Sequence, residues 1–164
     1  MGSNTKWVDP NGQQYQVGGT LTSGDGTEVG IPRGGSRVVP AAGTYQVTAG
    51  VLSQGRILSP QTYTIDVPDA ADTLIELPVP VPARLQGLFL LNGQEVDGDL
   101  IQAIPDNGQP FGFQPFDTVL AEPGACAFRA RPNADNSLEV TETLLPGETT
   151  IVRFEMTQTI NVNV

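Results

Sequence analysis

The apolar residues of this 164-residue chain come in short runs, and nearly every run is closed by glycine, proline, asparagine or aspartate. Nineteen glycines and fourteen prolines supply most of that punctuation. Good helix formers seldom follow one another, so the pattern predicts an all-β chain of many short strands. Within the runs, side chains alternate. "TYQVTA" puts Tyr45, Val47 and Ala49 on one face and Thr44, Gln46 and Thr48 on the other. "TYTIDV" groups Tyr63, Ile65 and Val67, and "VRFEM" groups Val152, Phe154 and Met156 against Arg153 and Glu155. A period of two marks strands with one buried face. "DAAD" at 69–72 and "PGE" at 146–148 are expected to close hairpins.

The chain also resembles itself. Asn11-Gly12-Gln13 falls on Asn92-Gly93-Gln94 at an offset of 81, and "AAGTYQVTA" at 41–49 meets "EPGACAFRA" at 122–130 at the same offset. The closing segments "TYTIDVPDAADTLIELPV" and "LEVTETLLPGETTIVRFEM" match at an offset of 78. Between the two copies lies "LPVPVPARLQ", where Pro78, Pro80 and Pro82 alternate with valine. Proline fixes φ and lacks a donor, so this run predicts an extended, stiff connector. The expected fold is therefore all-β: two tandem antiparallel β-sandwich (immunoglobulin-like) domains, 1–79 and 80–164, with six or seven strands per copy.

The single cysteine, Cys126, falls on Tyr45 at that offset, with Phe128 and Ala130 on its side of the strand. It is expected to fill core and to be inert. The chain has no histidine, which removes serine–histidine and cysteine–histidine catalysis as usually built, along with histidine metal sites. No phosphate loop or dinucleotide fingerprint is present. No cofactor is expected, and no catalytic or metal-binding residue is singled out. Asp97-Gly98-Asp99 and Asp106-Asn107-Gly108 read either as solvated turns or as oxygen ligands for calcium.

The strand "PAAGTYQVTA", preceded by a glycine-marked hairpin, resembles the immunoglobulin-like and transthyretin-like modules of the Cna-B and carboxypeptidase-regulatory type. "LQGLFLLNGQEVDG" is similar to the opening strand and turn of such modules, while "PGACAFRA" departs from them in lacking the tyrosine. The resemblance implies a β-sandwich acting as a spacer, binder or stalk. Some of these modules carry an internal lysine–asparagine cross-link. The second copy has no lysine and the first has only Lys6, close to the terminus, so that feature is not carried over.

The formal net charge is −10, which repels phosphate backbones and anionic membranes, so neither nucleic acid nor membrane is an expected partner. Residues 1–80 carry seven acids and four bases, and residues 81–164 carry eleven and four. The first copy is thus the one expected to pack against a neighbour. No apolar run spans a bilayer and "MGSNTKWVDP" has no apolar signal region.

Three functions compete. One is a non-enzymatic structural protein of a bacteriophage virion, a capsid decoration (cement) or tail-associated protein. It would be homo-oligomeric, bind a major capsid or tail protein, and take no small-molecule substrate. The second is an extracellular adhesion or carbohydrate-binding module at a cell surface. The third is a two-carboxylate hydrolase. The first is preferred. The residues expected to meet a partner are Trp7, Arg33 and Arg37 in "PRGGSR", Phe111, Phe113 and Phe116 in "PFGFQPF", and Ile160 and Val162 in the alternating tail "INVNV". That tail is suited to adding as a strand to an adjacent sheet. "PFGFQPF" reads either as a loop capping the core or as a contact patch.

Overall fold

The computed structural model describes residues 6–8, 14–30, 41–69, 77–133 and 136–158. Among these residues the chain is all-β, with mostly antiparallel sheets and no helix. It divides into two compact units, Met1–Val81 and Pro82–Val164.

The first unit holds strands β1 (Lys6–Val8), β2 (Gln14–Ser23), β3 (Glu28–Gly30), β4 (Gly43–Ser53) and β5 (Arg56–Val67). They form one sheet in the order β1-β2-β4-β5, with β3 pairing β2 as well. The alternation seen in the sequence sorts its two faces. Leu21, Tyr45, Val47 and Ala49 are buried together, with Val17, Ile65, Val67 and Leu77 packed against them. Tyr45 reaches past this cluster, and its hydroxyl donates to the Ala41 carbonyl at 2.6 Å. At the β2–β3 turn the Asp25 carboxylate accepts from the Ser23 hydroxyl and from the Thr27 N–H, which holds its pKa down at about 2.

The second unit holds β6 (Ala83–Leu91), β7 (Gln94–Val96), β8 (Ile101–Pro105), β9 (Phe111–Phe113), β10 (Thr118–Ala121), β11 (Gly124–Asn133), β12 (Asn136–Leu144) and β13 (Thr149–Met156). These make two four-stranded sheets. One is β10-β6-β13 with β7 also on β6, and the other is β12-β11-β8-β9. Both contribute to a single core. Leu85, Phe89, Val152 and Phe154 come from the first sheet, and Ile101, Phe113, Phe128 and Leu144 from the second. Phe89 stacks on Phe154 at 5.3 Å, and Phe113 meets Phe128 edge-on at 6.4 Å.

The "PGE" turn does not close a hairpin. It carries the chain from β12 in one sheet to β13 in the other. The cause is a pair of distant backbone bonds: Gly147 N–H donates to Pro82 C=O at 2.9 Å, and Arg84 N–H donates to Glu148 C=O at 2.8 Å. These pin the turn to the start of β6, so β13 leaves parallel to β6 and in register with it over eight residues, from Thr149↔Arg84 to Met156↔Leu91. Each end of the proline run is held within its own unit: the Pro78 carbonyl accepts from the Tyr63 hydroxyl, and Pro82 is fully buried.

The strand registers of the two units correspond. Leu21 pairs with Val29 and Val47; 82 positions on, Ala103 pairs with Phe111 and Phe128. Val47 pairs with Tyr63, and Phe128 pairs with Val140. The sheet path β3-β2-β4-β5 thus repeats as β9-β8-β11-β12, at offsets of 82, 81 and 77. The last offset is 77 rather than the 78 of the sequence comparison, because the β11–β12 hairpin is four residues shorter than β4–β5. Gly43 (φ 152°) and Gly124 (φ 128°) open the equivalent strands β4 and β11, and both hold backbone angles that a side chain disfavours. "DAAD" lies largely outside the described residues.

Phe128 is fully buried where both sheets of the second unit meet. Phe128→Ala is expected to cost about 3–5 kcal/mol by urea denaturation, as a large core cavity does.

Candidate functional site

Strand β6 carries apolar side chains on both sides. Ala83, Leu85, Gly87 and Phe89 point into the core, so Arg84, Gln86, Leu88 and Leu90 point outward. Pairing extends each outward residue into a row across the sheet. Leu120 and Thr149 flank Arg84, Thr118 and Ile151 flank Gln86, Arg153 lies beside Leu88, and Glu95 and Glu155 flank Leu90. The outer face therefore carries Leu88, Leu90, Leu120 and Ile151, the last 36% exposed. A sheet face turned to solvent is normally polar.

Phe116 adds to this face. Its N–H donates to Gly87 C=O at 3.0 Å, in the turn just beyond the Thr118↔Gln86 end of the β10–β6 pairing. Its carbonyl accepts from Gln86 Nε2 at 2.9 Å. The two bonds hold a bulky residue at φ 69° and leave its side chain 41% exposed. A non-glycine residue in that region is held there only by its surroundings.

The charges on this face balance. Arg84 lies in the first row, Arg153 in the third, and Glu95 and Glu155 share the fourth. The face is neutral within a chain of net charge −10. Arg84 is partly engaged locally, its Nη1 donating to Gly147 C=O at 3.4 Å.

Of the residues expected to meet a partner, Phe116 alone is shown on the surface. Phe111 and Phe113 are core residues, 9% and 2% exposed, so a contact role for them is corrected. Strand β9 pairs with β8 through Ala103↔Phe111 and Ile101↔Phe113, and this register turns both rings inward. The flanking prolines, Pro110 and Pro115, end the strand rather than expose it. Trp7 lies in β1 opposite Tyr15. Arg33, Arg37, Ile160 and Val162 fall outside the described residues. Leu88, Leu90, Leu120, Ile151, Arg153 and Glu155 were not singled out from sequence. The run "LFLL", which breaks the alternation, is the signal that marks part of this face.

The other features have structural explanations. A side-chain carbon added at Gly98 would lie 2.1 Å from the Phe89 ring, so "DGD" has its glycine where the core ring passes. Among the described residues no group of three or more metal-ligating side chains comes together. In the first unit a shallow open groove is lined by Thr22, Ser23, Gly24, Thr44, Gln46 and Thr64. This lining has no aromatic ring on which a sugar could stack. Cys126 is 1% exposed. Burial, helped by the nearby Asp106 charge, pushes its thiol from 9.0 up to about 11.

No protein-family model matches this chain, and no curated protein matches it in sequence.

The raised thiol pKa has a sign. The folded state keeps Cys126 neutral where the unfolded chain ionises, so its contribution to stability is complete below about pH 9 and is lost as the pH rises toward 11. Urea midpoints measured across that window should fall less steeply for Cys126→Ala than for the parent. The native parent should also resist thiol reagents at pH 8 until it unfolds.

Proposed function

We propose that this chain is a non-enzymatic structural protein working through protein–protein contacts, and that it serves as a virion accessory protein of the capsid-decoration or tail-associated kind. The observation that supports the contact role is the outer face of β10-β6-β13. It carries Leu88, Leu90, Leu120 and Ile151 among balanced charges, in a chain that is otherwise strongly acidic. Protein interfaces are about as apolar as this and deplete unbalanced charge at their core. Phe116 and Ile151 are its exposed anchors, and buried aromatic and aliphatic anchors dominate the binding energy of such contacts. The duplicated β-sheet architecture and its resemblance to spacer and stalk modules support the virion assignment. An acidic surface favours soluble particles and basic docking partners.

The purified chain is expected to co-sediment with particles bearing capsid or tail protein and to be released by denaturant. Ile151→Asp places a charge at the anchor and should weaken that association at least tenfold, about 1.4 kcal/mol, with the circular dichroism spectrum unchanged. Retention of full binding by Ile151→Asp would rule out this face as the contact, and absence of particle binding by the parent would overturn the virion assignment.

A further inference from the structure

We infer that the Asn107-Gly108 turn of the second unit is a site of spontaneous covalent modification, at which Asn107 loses its side-chain amide and becomes a carboxylate, while the Asn92-Gly93 turn of the same unit is held against that change. Asn-Gly occurs three times in the chain, at 11–12, 92–93 and 107–108, and each pair is followed by glutamine. The intrinsic chemistry of the three is therefore the same, and the fold decides between them. The first lies outside the described residues. In the reaction the glycine nitrogen attacks the asparagine Cγ, the Cγ–Nδ2 bond breaks, and ammonia leaves carrying the proton of the glycine N–H. Water then opens the five-membered imide at either carbonyl, giving aspartate or its β-linked isomer. Glycine favours the attack because no Cβ hinders its nitrogen. The remaining requirement is that Cγ can come within about 3–3.5 Å of that nitrogen.

The Asn92-Gly93 turn resists that approach. The two residues form the loop of the β6–β7 hairpin, between the paired Leu91 and Gln94. Their φ angles of 50° and 80° are those of a type I′ turn. The Asn92 N–H donates to Met156 C=O at 3.0 Å, and its Oδ1 accepts from the Gln158 N–H at 3.3 Å. Moving Cγ onto the Gly93 nitrogen would turn the Asn92 backbone far from its place in the turn. That breaks the Leu91↔Gln94 pair and draws the side chain off Gln158.

Asn107 lies in the connection between β8 and β9 and has no such restraint. It is exposed, and among the described residues no hydrogen bond holds its side chain. The Gly108 N–H makes no backbone hydrogen bond among them either. The chain is anchored just before, where the Asp106 N–H donates to Ala125 C=O at 3.0 Å, and it next pairs at Phe111, which opens β9. The Asn107 Nδ2 lies 3.8 Å from the point where a Cβ on Gly124 would stand, so the absence of a side chain there leaves the amide room to turn. Packing also requires the reactive glycine. A side-chain carbon added at Gly108 would collide with the Glu122 carboxylate. This turn thus keeps the Asn-Gly pair without the hairpin geometry that protects the other one. Its product sets a new negative charge next to Asp106, in the more acidic of the two units.

The test is to incubate the folded chain at neutral pH, cut samples with a glutamate-specific protease and follow the peptides by mass spectrometry. Cleavage after Glu95 puts Asn92 and Asn107 in different peptides. The peptide holding Asn107 should become one mass unit heavier at least tenfold faster than the peptide holding Asn92. In concentrated urea the two rates should converge, because both sites are Asn-Gly-Gln and unfolding removes the hairpin that protects Asn92. Equal rates in the folded chain, a faster Asn92, or an Asn107 that changes in urea and not in the folded chain would each overturn the inference. A difference that persists unaltered in urea would do so too, since the fold would then not be its cause.

Discussion

Strand β6 carries leucines on both of its faces. Its inner side, through Leu85 and Phe89, closes the core of the second unit, and its outer side presents Leu88 and Leu90. Burying a fully exposed leucine side chain is worth about 1.5–3 kcal/mol; Leu88 and Leu90 are half-buried, so covering them gains a part of that. The parallel pairing with β13 extends the same arrangement, placing Phe154 inside beside Phe89 and Ile151 outside beside Gln86. Parallel pairs occur mainly in sheets covered on both sides. The backbone bonds from Gly147 to Pro82 and from Arg84 to Glu148 set that pairing. The composition of the outer face thus follows from how the last strand is anchored to the first.

The repeated registers show what a duplicated sheet keeps and what it changes. The hairpins and their partners are kept: β2–β3 as β8–β9, and β4–β5 as β11–β12. The filling changes. Tyr45 occupies its position with a ring and a hydroxyl bonded to Ala41, while Cys126 fills the corresponding place with a small neutral thiol beside larger phenylalanines. The outward residues diverge more. Thr44, Thr48, Thr62 and Thr64 line the first sheet, where Thr48 and Thr62 share a 2.9 Å hydroxyl bond. Their counterparts in the second include Arg129 and Glu139, paired at 2.7 Å. By the same offsets, β10 and β13 correspond to 37–40 and 72–79, mostly outside the described residues.

Local alternation was enough to read the inner faces of β4, β11 and β13, since each is a strand with one polar side. It was enough for Cys126 as well, because its neighbours Phe128 and Ala130 fix the side on which it lies. It was not enough for Phe111 and Phe113. Prolines on either side of a three-residue strand hide which way it faces, and that is decided by its register with Ala103 and Ile101. The "PGE" turn looks like a hairpin closure in sequence because the bonds that set its geometry come from Pro82 and Arg84, more than sixty positions away. The outer face of β6 escaped notice for a related reason. It is assembled from β6, β7, β10 and β13, and only the unbroken run "LFLL" hints at it in one dimension.

The central claim is that a protein partner covers this face, and the most direct test reads the leucine and isoleucine methyls themselves. With a soluble paramagnetic probe, the NMR signals of Leu88, Leu90 and Ile151 should be attenuated in the free protein and progressively protected as capsid or tail protein is added. Leu100, 53% exposed beside the other sheet, should remain accessible throughout. If the methyls of Leu88, Leu90 and Ile151 stay as accessible to the probe with capsid or tail protein as without it, the account is contradicted.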